Sequence, residues 1–349
     1  MRPVLSFDHL ARLTTPLGVY EHALGDTPRT EHAYCVDDVA RALVVTSRVP
    51  DPSAEVRALT EGYLDFVLAA LRPDGYLHNR RRLDGTWSDR PSSDDHWGRA
   101  LWAMGTAAAW SDDDDLASRA QAGAGIALRS RSNWPRAMAY GTLGAAQLLR
   151  VTPDDVAPLR FLEDARRVLD RPRADSAWPW PEERLTYANA VLPEAMITIG
   201  DALDDDVILE DGLLLLDWLV DQQQRDGHLS VVPSTGWSRT KRRPVGRHRR
   251  VRSRAGFAQQ PIEVAALAEA CRTAYAATGD RRWTTVIEQC NAWFVGANDG
   301  GVRMCDPVTG AGFDGLERHG ASANQGAEST LAWLSTLQVA LMPQLAIAR

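Results

Sequence analysis

Apolar positions recur along the chain with a period near 3.6, and the helices they predict are of two alternating kinds. Over Asp155–Leu169, Asp155, Arg160, Glu163, Asp164, Arg166 and Arg167 make a solvated face opposite Val156, Leu159, Leu162 and Leu169, which is the signature of an outer, amphipathic helix. The preceding segment, Pro135–Leu149, carries one charge, Arg136, and is rich in Ala and Gly. Gly in a helix gives up propensity and apolar area unless packing on all sides returns it, so this segment reads as an inner, buried helix. The same reading places outer helices near 4–13, 53–71, 114–130, 155–169, 208–224 and 280–295. It places inner ones near 36–48, 95–110, 134–150, 187–203, 259–277 and 324–342. Short strand-like pieces follow the Asp-Gly turns at Asp74-Gly75 and Asp226-Gly227, and Asn298-Asp-Gly-Gly resembles them.

Six outer and six inner helices predict an all-α fold, an (α/α)6 toroid of helical hairpins in one domain over 1–349, with short β-hairpin-like connections. A weak internal repeat supports this: Val36-Asp-Asp-Val-Ala-Arg-Ala-Leu aligns with Asp94-Asp-His-Trp-Gly-Arg-Ala-Leu, matching Asp37 to Asp95 and Arg41 to Arg99. An open solenoid would show a stricter repeat length and polar capping repeats.

Composition changes this picture little. With 44% hydrophobic and 24% charged residues the chain is neither disordered nor fibrous. The net charge is −7, and eight of the 39 basic residues lie in Lys241–Arg254. Without that stretch the charge would be −15, so no general polyanion surface and no nucleic-acid partner is expected. The stretch itself, within 238–256, reads as a flexible basic loop. No apolar run approaches the roughly 20 residues that span a bilayer and the first residues lack a signal-peptide block, so a cytoplasmic protein without membrane contact is expected. Cys35, Cys271, Cys290 and Cys305 show no metal-site spacing. No phosphate-binding loop, dinucleotide fingerprint, nucleophile elbow or zincin motif occurs, and no cofactor or metal is expected.

In a toroid of parallel inner helices, the loops entering those helices line one mouth, and there the polar residues collect. In turn they are His32, Tyr34, Asp37 and Asp38; Asp95, His96, Trp97 and Arg99; Trp134 and Arg136; Trp180, Glu182, Tyr187 and Asn189; Gln259, Gln260 and Glu263; and Asn324, Gln325 and Glu328. The distal halves of the same helices read as nearly apolar. Dipole and capping effects favour acids in any first turn, and Asp37–Arg41 and Asp95–Arg99 are i,i+4 pairs that could simply stabilise their helices. Capping does not explain Glu263 and Glu328, because a carboxylate on an all-buried helix needs a partner or a cavity. Twelve Trp against seven Tyr and six Phe also suit a sugar cleft, where flat apolar faces stack on pyranose rings.

Glycoside hydrolysis needs one protonated and one ionised carboxyl. Asp37 and Asp38 suit half of that demand, and Glu182, set among Trp180 and Tyr187, is the expected opposing acid, kept protonated by apolar company. His32 and His96 are the pair that could meet in a sugar epimerase of the N-acylglucosamine type, which shares this toroid. A third reading is a non-catalytic glycan-binding partner.

Tyr34-Cys-Val-Asp-Asp-Val-Ala-Arg-Ala-Leu, Trp178-Pro-Trp-Pro-Glu with Leu185-Thr-Tyr, Gln260-Pro-Ile-Glu and Asn324-Gln-Gly-Ala-Glu-Ser-Thr-Leu resemble a bacterial family of glycosidase-related (α/α)6 proteins. Its members lie beside, or are fused to, glycosyltransferases. The resemblance implies an oligosaccharide or polysaccharide substrate and a functional link to a glycosyltransferase. The Asp-Asp pair is also similar to that of the family 76 endo-α-1,6-mannanases. That likeness implies Asp37 and Asp38 as nucleophile and acid/base of a retaining mechanism, in place of Glu182. The expected activity is hydrolysis of an α-linked hexose glycan such as a mannoside.

Overall fold

The computed structural model describes residues 5–239 and 256–345, so the basic stretch Lys241–Arg254 lies outside the described residues. Twelve α-helices are described. The inner set is α2 (Val36–Ser47), α4 (Asp95–Trp110), α6 (Pro135–Val151), α8 (Val191–Leu203), α10 (Pro261–Thr278) and α12 (Ala327–Leu345). The outer set is α1 (Asp8–Leu13), α3 (Ala54–Ala70), α5 (Asp114–Ala127), α7 (Val156–Val168), α9 (Asp206–Gln223) and α11 (Arg282–Phe294). Each inner helix packs on the next, and α12 closes back on α2, so the ring is an (α/α)6 toroid as the periodicity predicts.

Each outer helix lies on the inner helix that precedes it, with α1 on α12. Inner-to-outer turns are therefore tight, and two of the acidic runs there act as caps. Asp113 accepts from the backbone N–H groups of Asp115 and Leu116, and Asp205 from those of Val207 and Ile208. Except between α5 and α6, the outer-to-inner connections are long and carry paired strands of two residues. The Asp226-Gly227 turn joins one such hairpin, Gln224–Arg225 with His228–Leu229, and both turn residues have positive φ, 47° and 87°, as a two-residue hairpin loop requires.

The Gly and Ala of α6 have the predicted use. A Cβ on Gly98 would lie 2.2 Å from the Ala137 carbonyl oxygen, and one on Gly144 would lie 2.2 Å from that of Leu101. Backbone therefore meets backbone along the α4–α6 seam, and any side chain there would force the two helices apart. Pro135 and Pro261 occupy the first turns of α6 and α10, where the missing N–H costs nothing.

The distal halves are not uniformly apolar. Arg48, at the end of α2, lies 2.5 Å from Glu269 of α10, which also accepts from Ser335 Oγ at 2.6 Å and Arg272 Nε at 3.2 Å. Glu194 accepts from Thr273 Oγ1 at 3.0 Å. Burial and the neighbouring Glu269 raise the Glu194 carboxyl well above its ordinary value. Burial opposes ionisation of Glu269 too, but Arg48 and Arg272 outweigh it and hold that carboxyl low. Apart from the i,i+3 pair Glu269–Arg272, these charges escape a sequence reading because their partners lie on other helices.

Candidate active site

A cavity of about 430 Å³ opens at the mouth where the long connections meet the inner helices, within the size range of small-molecule sites. Seven predicted residues line it: Asp37, Asp38, Asp95, Arg99, Tyr187, Gln260 and Glu328. Glu21, His22, Cys35, Arg41, Asp314 and Ser329 join them.

Two arginines organise its floor. Asp38 Oδ1 accepts from Arg41 Nη1 at 2.7 Å and Oδ2 from Cys35 Sγ at 3.3 Å. Arg41 Nη2 also reaches Glu328 Oε2 at 2.8 Å and the Tyr187 hydroxyl at 2.5 Å. Arg99 donates through Nη1 to Asp37 Oδ1, and it lies 3.8 Å from Asp95 and 4.5 Å over the Tyr140 ring. The expected i,i+4 pairing thus holds for Asp95–Arg99, whereas Arg41 turns to Asp38, and Asp37 is claimed from the next inner helix. Tyr187 Oη donates to Glu328 Oε2 at 2.6 Å and accepts from both guanidinium groups, tying α2, α4 and α12 together.

The same surroundings push the adjacent aspartates in opposite directions. Burial alone would raise Asp37, but Arg99, Arg41, His96 and the Asn79 amide at 3.0 Å hold its carboxyl below the usual value. Burial dominates at Asp38, where Glu328, Glu21 and Asp37 outweigh the help of Arg41 and lift it to about 6. Asp314 is also raised, chiefly by burial, against the Gly326 N–H and Ser329 hydrogen bonds that favour its ionised form.

A second group of predicted residues holds Tyr187 in place rather than lining the cavity. Glu182, expected to be a protonated acid, is gripped by Arg136 through two bonds of 2.8 and 2.9 Å, and these overcome its burial and keep it below the ordinary value. The correction has a simple cause: an arginine 46 positions away cannot be seen from the aromatic residues beside Glu182 in the chain. Arg136 Nε donates in turn to the Tyr187 carbonyl at 2.9 Å. Glu263 accepts from the Ala188 N–H and from Asn189 Nδ2 at 2.8 Å, and burial lifts its carboxyl to about 7. Ala188 has φ 45°, a strained value for a side-chain-bearing residue, which these anchors sustain.

The remaining predicted residues do not line the cavity. Trp97 and Trp180 are fully buried against Phe161 and Trp218, so they serve the core rather than a sugar. Trp134 is 62% exposed at the head of α6. Tyr34 is buried against Tyr20. His96 is buried on the Leu77 carbonyl at 2.9 Å, and His32 meets His22, with ring centroids 4.7 Å apart, instead of His96. Gln259 bonds Asp299 and Trp293, Asn324 accepts from the Gly25 N–H, and the Gln325 carbonyl bonds His9.

Sequence reasoning missed His22, Glu21 and Asp314, which stand in loops with no helical register to place them. A metal could draw on Glu21, Cys35 and Asp38, whose ligand atoms lie within 4.8 Å of one another. Burial and the adjacent carboxylates push the Cys35 thiol well up, against the thiolate such a ligand needs. None of the described helices is long and apolar enough to cross a membrane.

No protein-family model and no curated protein matches the chain. Solved structures do. A sugar epimerase from a ruminal bacterium is 12% identical with a TM-score of 0.68, over 97% of this chain and 95% of that one. A D-mannose isomerase is 11% identical, TM-score 0.65, over 95% of each chain. The GH76 α-mannanase of Bacteroides thetaiotaomicron is 9% identical, TM-score 0.60, over 95% of this chain and 91% of that one. At such identities the likeness establishes the (α/α)6 fold, in agreement with the ring of inner helices.

Proposed function

We propose that this protein is a carbohydrate-active enzyme, a glycoside hydrolase acting on an α-linked hexose glycan such as a mannoside. The observation that carries the reading is one mouth cavity in which carboxyls from separate hairpins converge with unlike partners, Asp37 on Arg99 and Asp314 on the Gly326 N–H. Arg99 holds the Asp37 carboxyl below its ordinary value, while burial lifts Asp38 to about 6 and pushes Asp314 up from the usual carboxylate range. Carboxyls driven apart in this way are what acid-assisted cleavage of an acetal requires. Asp37 supplies the ionised carboxylate. Asp38, Arg41, Tyr187 and Glu328 form the floor against which the sugar is oriented, with Asp95, Arg99 and Gln260 as hydrogen-bonding walls. Similarity in fold to an α-mannanase and the Asp-Asp motif support the choice of an α-mannoside. The resemblance to the bacterial glycosidase-related family motivates a working link to a glycosyltransferase.

A second reading, sugar epimerisation or isomerisation, draws on the His22–His32 contact beside the cavity and on the two similar structures named for that chemistry. Both rings are exposed at the rim, whereas the buried charges converge on the floor. A purely glycan-binding role would favour an indole platform, and none of the lining residues is tryptophan.

A panel of α-linked oligosaccharides and free hexoses, incubated with wild type and with Asp37→Asn, separates these readings by product. Release of reducing sugar by wild type alone supports hydrolysis. Interconversion of a free hexose without cleavage supports the second reading, and binding without turnover supports the third.

A further inference from the structure

We propose that Asp314 is the general acid of this site, delivering the proton to the glycosidic oxygen while Asp37 acts as the ionised partner. The inference rests on the hydrolase reading and names the group that reading leaves open.

Asp38 is poorly suited to the task. Both of its oxygens are engaged, one by Arg41 and the other by the Cys35 thiol, and the residue is only 3% exposed. An acid that must hand over a proton needs a free O–H edge facing the substrate. Asp314 has one. It lies in the connection between the strands Ala311–Gly312 and Leu316–Glu317, and it forms part of the cavity wall. Its Oδ1 accepts from the Gly326 N–H at 2.7 Å, just before α12, and Ser329 supplies a further hydrogen bond. No ion pair with Lys or Arg engages it among the described residues. The groups facing it are His22 and Glu21 from the first long connection, Glu328 from α12, and Asp38 with Arg41 from α2. A side chain at 326 would press on this carboxyl, since a Cβ there would lie 3.0 Å from Oδ1.

Position completes the case. Asp37 leans towards α4 through Arg99, and Asp314 is fastened at the start of α12, the other neighbour of α2 in the ring. Asp37 thus reaches the cavity from the α2–α4 side and Asp314 from the α12 side. In the step proposed, the C1–O bond breaks with its electron pair left on the glycosidic oxygen, which takes the Asp314 proton and departs as an alcohol. Either Asp37 captures C1, and water then displaces it there, giving its oxygen to C1 and its proton to Asp314; or water attacks C1 directly and passes its proton to Asp37, after which Asp37 loses that proton to solvent and Asp314 regains one from it.

The test compares leaving groups. Wild type, Asp314→Asn and Asp38→Asn are assayed on α-1,6-mannobiose, whose alcohol must be protonated, and on 2,4-dinitrophenyl α-mannoside, whose phenolate leaves unaided. The glucose counterparts are assayed beside them. Asp314→Asn is expected to lose about 10²–10⁴-fold on the disaccharide and to stay within about tenfold of wild type on the aryl glycoside. Equal losses on both substrates, no loss on either, or the selective loss appearing in Asp38→Asn instead would each overturn the assignment while leaving hydrolysis intact. No cleavage of any of these glycosides by wild type would overturn the hydrolase reading and the assignment with it. Asp314→Ser, which keeps an oxygen for the Gly326 N–H, provides the same comparison if the Asn variant does not fold.

Discussion

Two sets of buried charges share the axis of the barrel. At the mouth, Asp37, Asp38, Arg41, Arg99, Tyr187 and Glu328 surround a cavity of about 430 Å³. At the far end, Arg48, Glu194, Glu269 and Arg272 enclose no comparable space, and the hollow between the two sets is apolar and only about 40 Å³. Both sets contain one carboxyl pushed up and one held down. Perturbed acidity therefore does not by itself distinguish a working site from a structural cluster; access does. The far cluster ties the end of α2 to the middle of α10, whereas the mouth set lines open volume.

Substitutions can break that contrast. The largest effect is expected for Asp37→Asn, which should lower product release by about 10²–10⁴-fold, the usual worth of a positioned acid or base, with the fold retained as judged by circular dichroism. Glu269→Gln should do the reverse: it leaves Arg48 buried without its charge partner and should lower unfolding free energy by about 3–5 kcal/mol in a urea titration, with kcat per folded molecule unchanged. A large kcat loss there would place the far cluster in the chemistry. Tyr187→Phe removes the hydroxyl shared by Arg41, Arg99 and Glu328, and a roughly tenfold fall in kcat/KM, about 1.4 kcal/mol, is expected from steady-state rates.

The smallest effect concerns pH. Because Glu194 is raised in the folded state, the native protein binds more protons than the unfolded chain once pH exceeds the ordinary carboxyl value. Stability is lost as pH climbs from there through the raised value. Glu194→Gln should abolish this slope, so the gain in melting temperature over wild type should be greater at pH 8 than at pH 5. Glu269 has the opposite sign, since its stabilisation is lost as pH falls below the ordinary value.

How much of this was legible in the sequence follows the range of each interaction. The inner helices at 36–48 and 95–110 were readable almost to the residue, because their apolar period is local. The helix expected from 187 begins at Val191, since the Ala188 and Asn189 backbone N–H groups are taken by Glu263 of α10 and the chain stays irregular until they are satisfied. The mouth was legible as an end of the barrel, but not the pairing within it. Asp37 with Arg99 and Glu182 with Arg136 join residues far apart in the chain, and Trp97 differs from a sugar platform only in the direction it faces. Asp314 sits in a loop without period, so nothing in its surroundings along the chain marked it.

The glycine contacts between α4 and α6 make the six walls unequal. With main chains touching at Gly98 and Gly144, that seam has no side-chain knobs to slide or repack. It forms the stiff quadrant of the ring, and any widening to admit a longer guest falls to the other seams, above all those beside α12, where Asp314 and Gly326 meet.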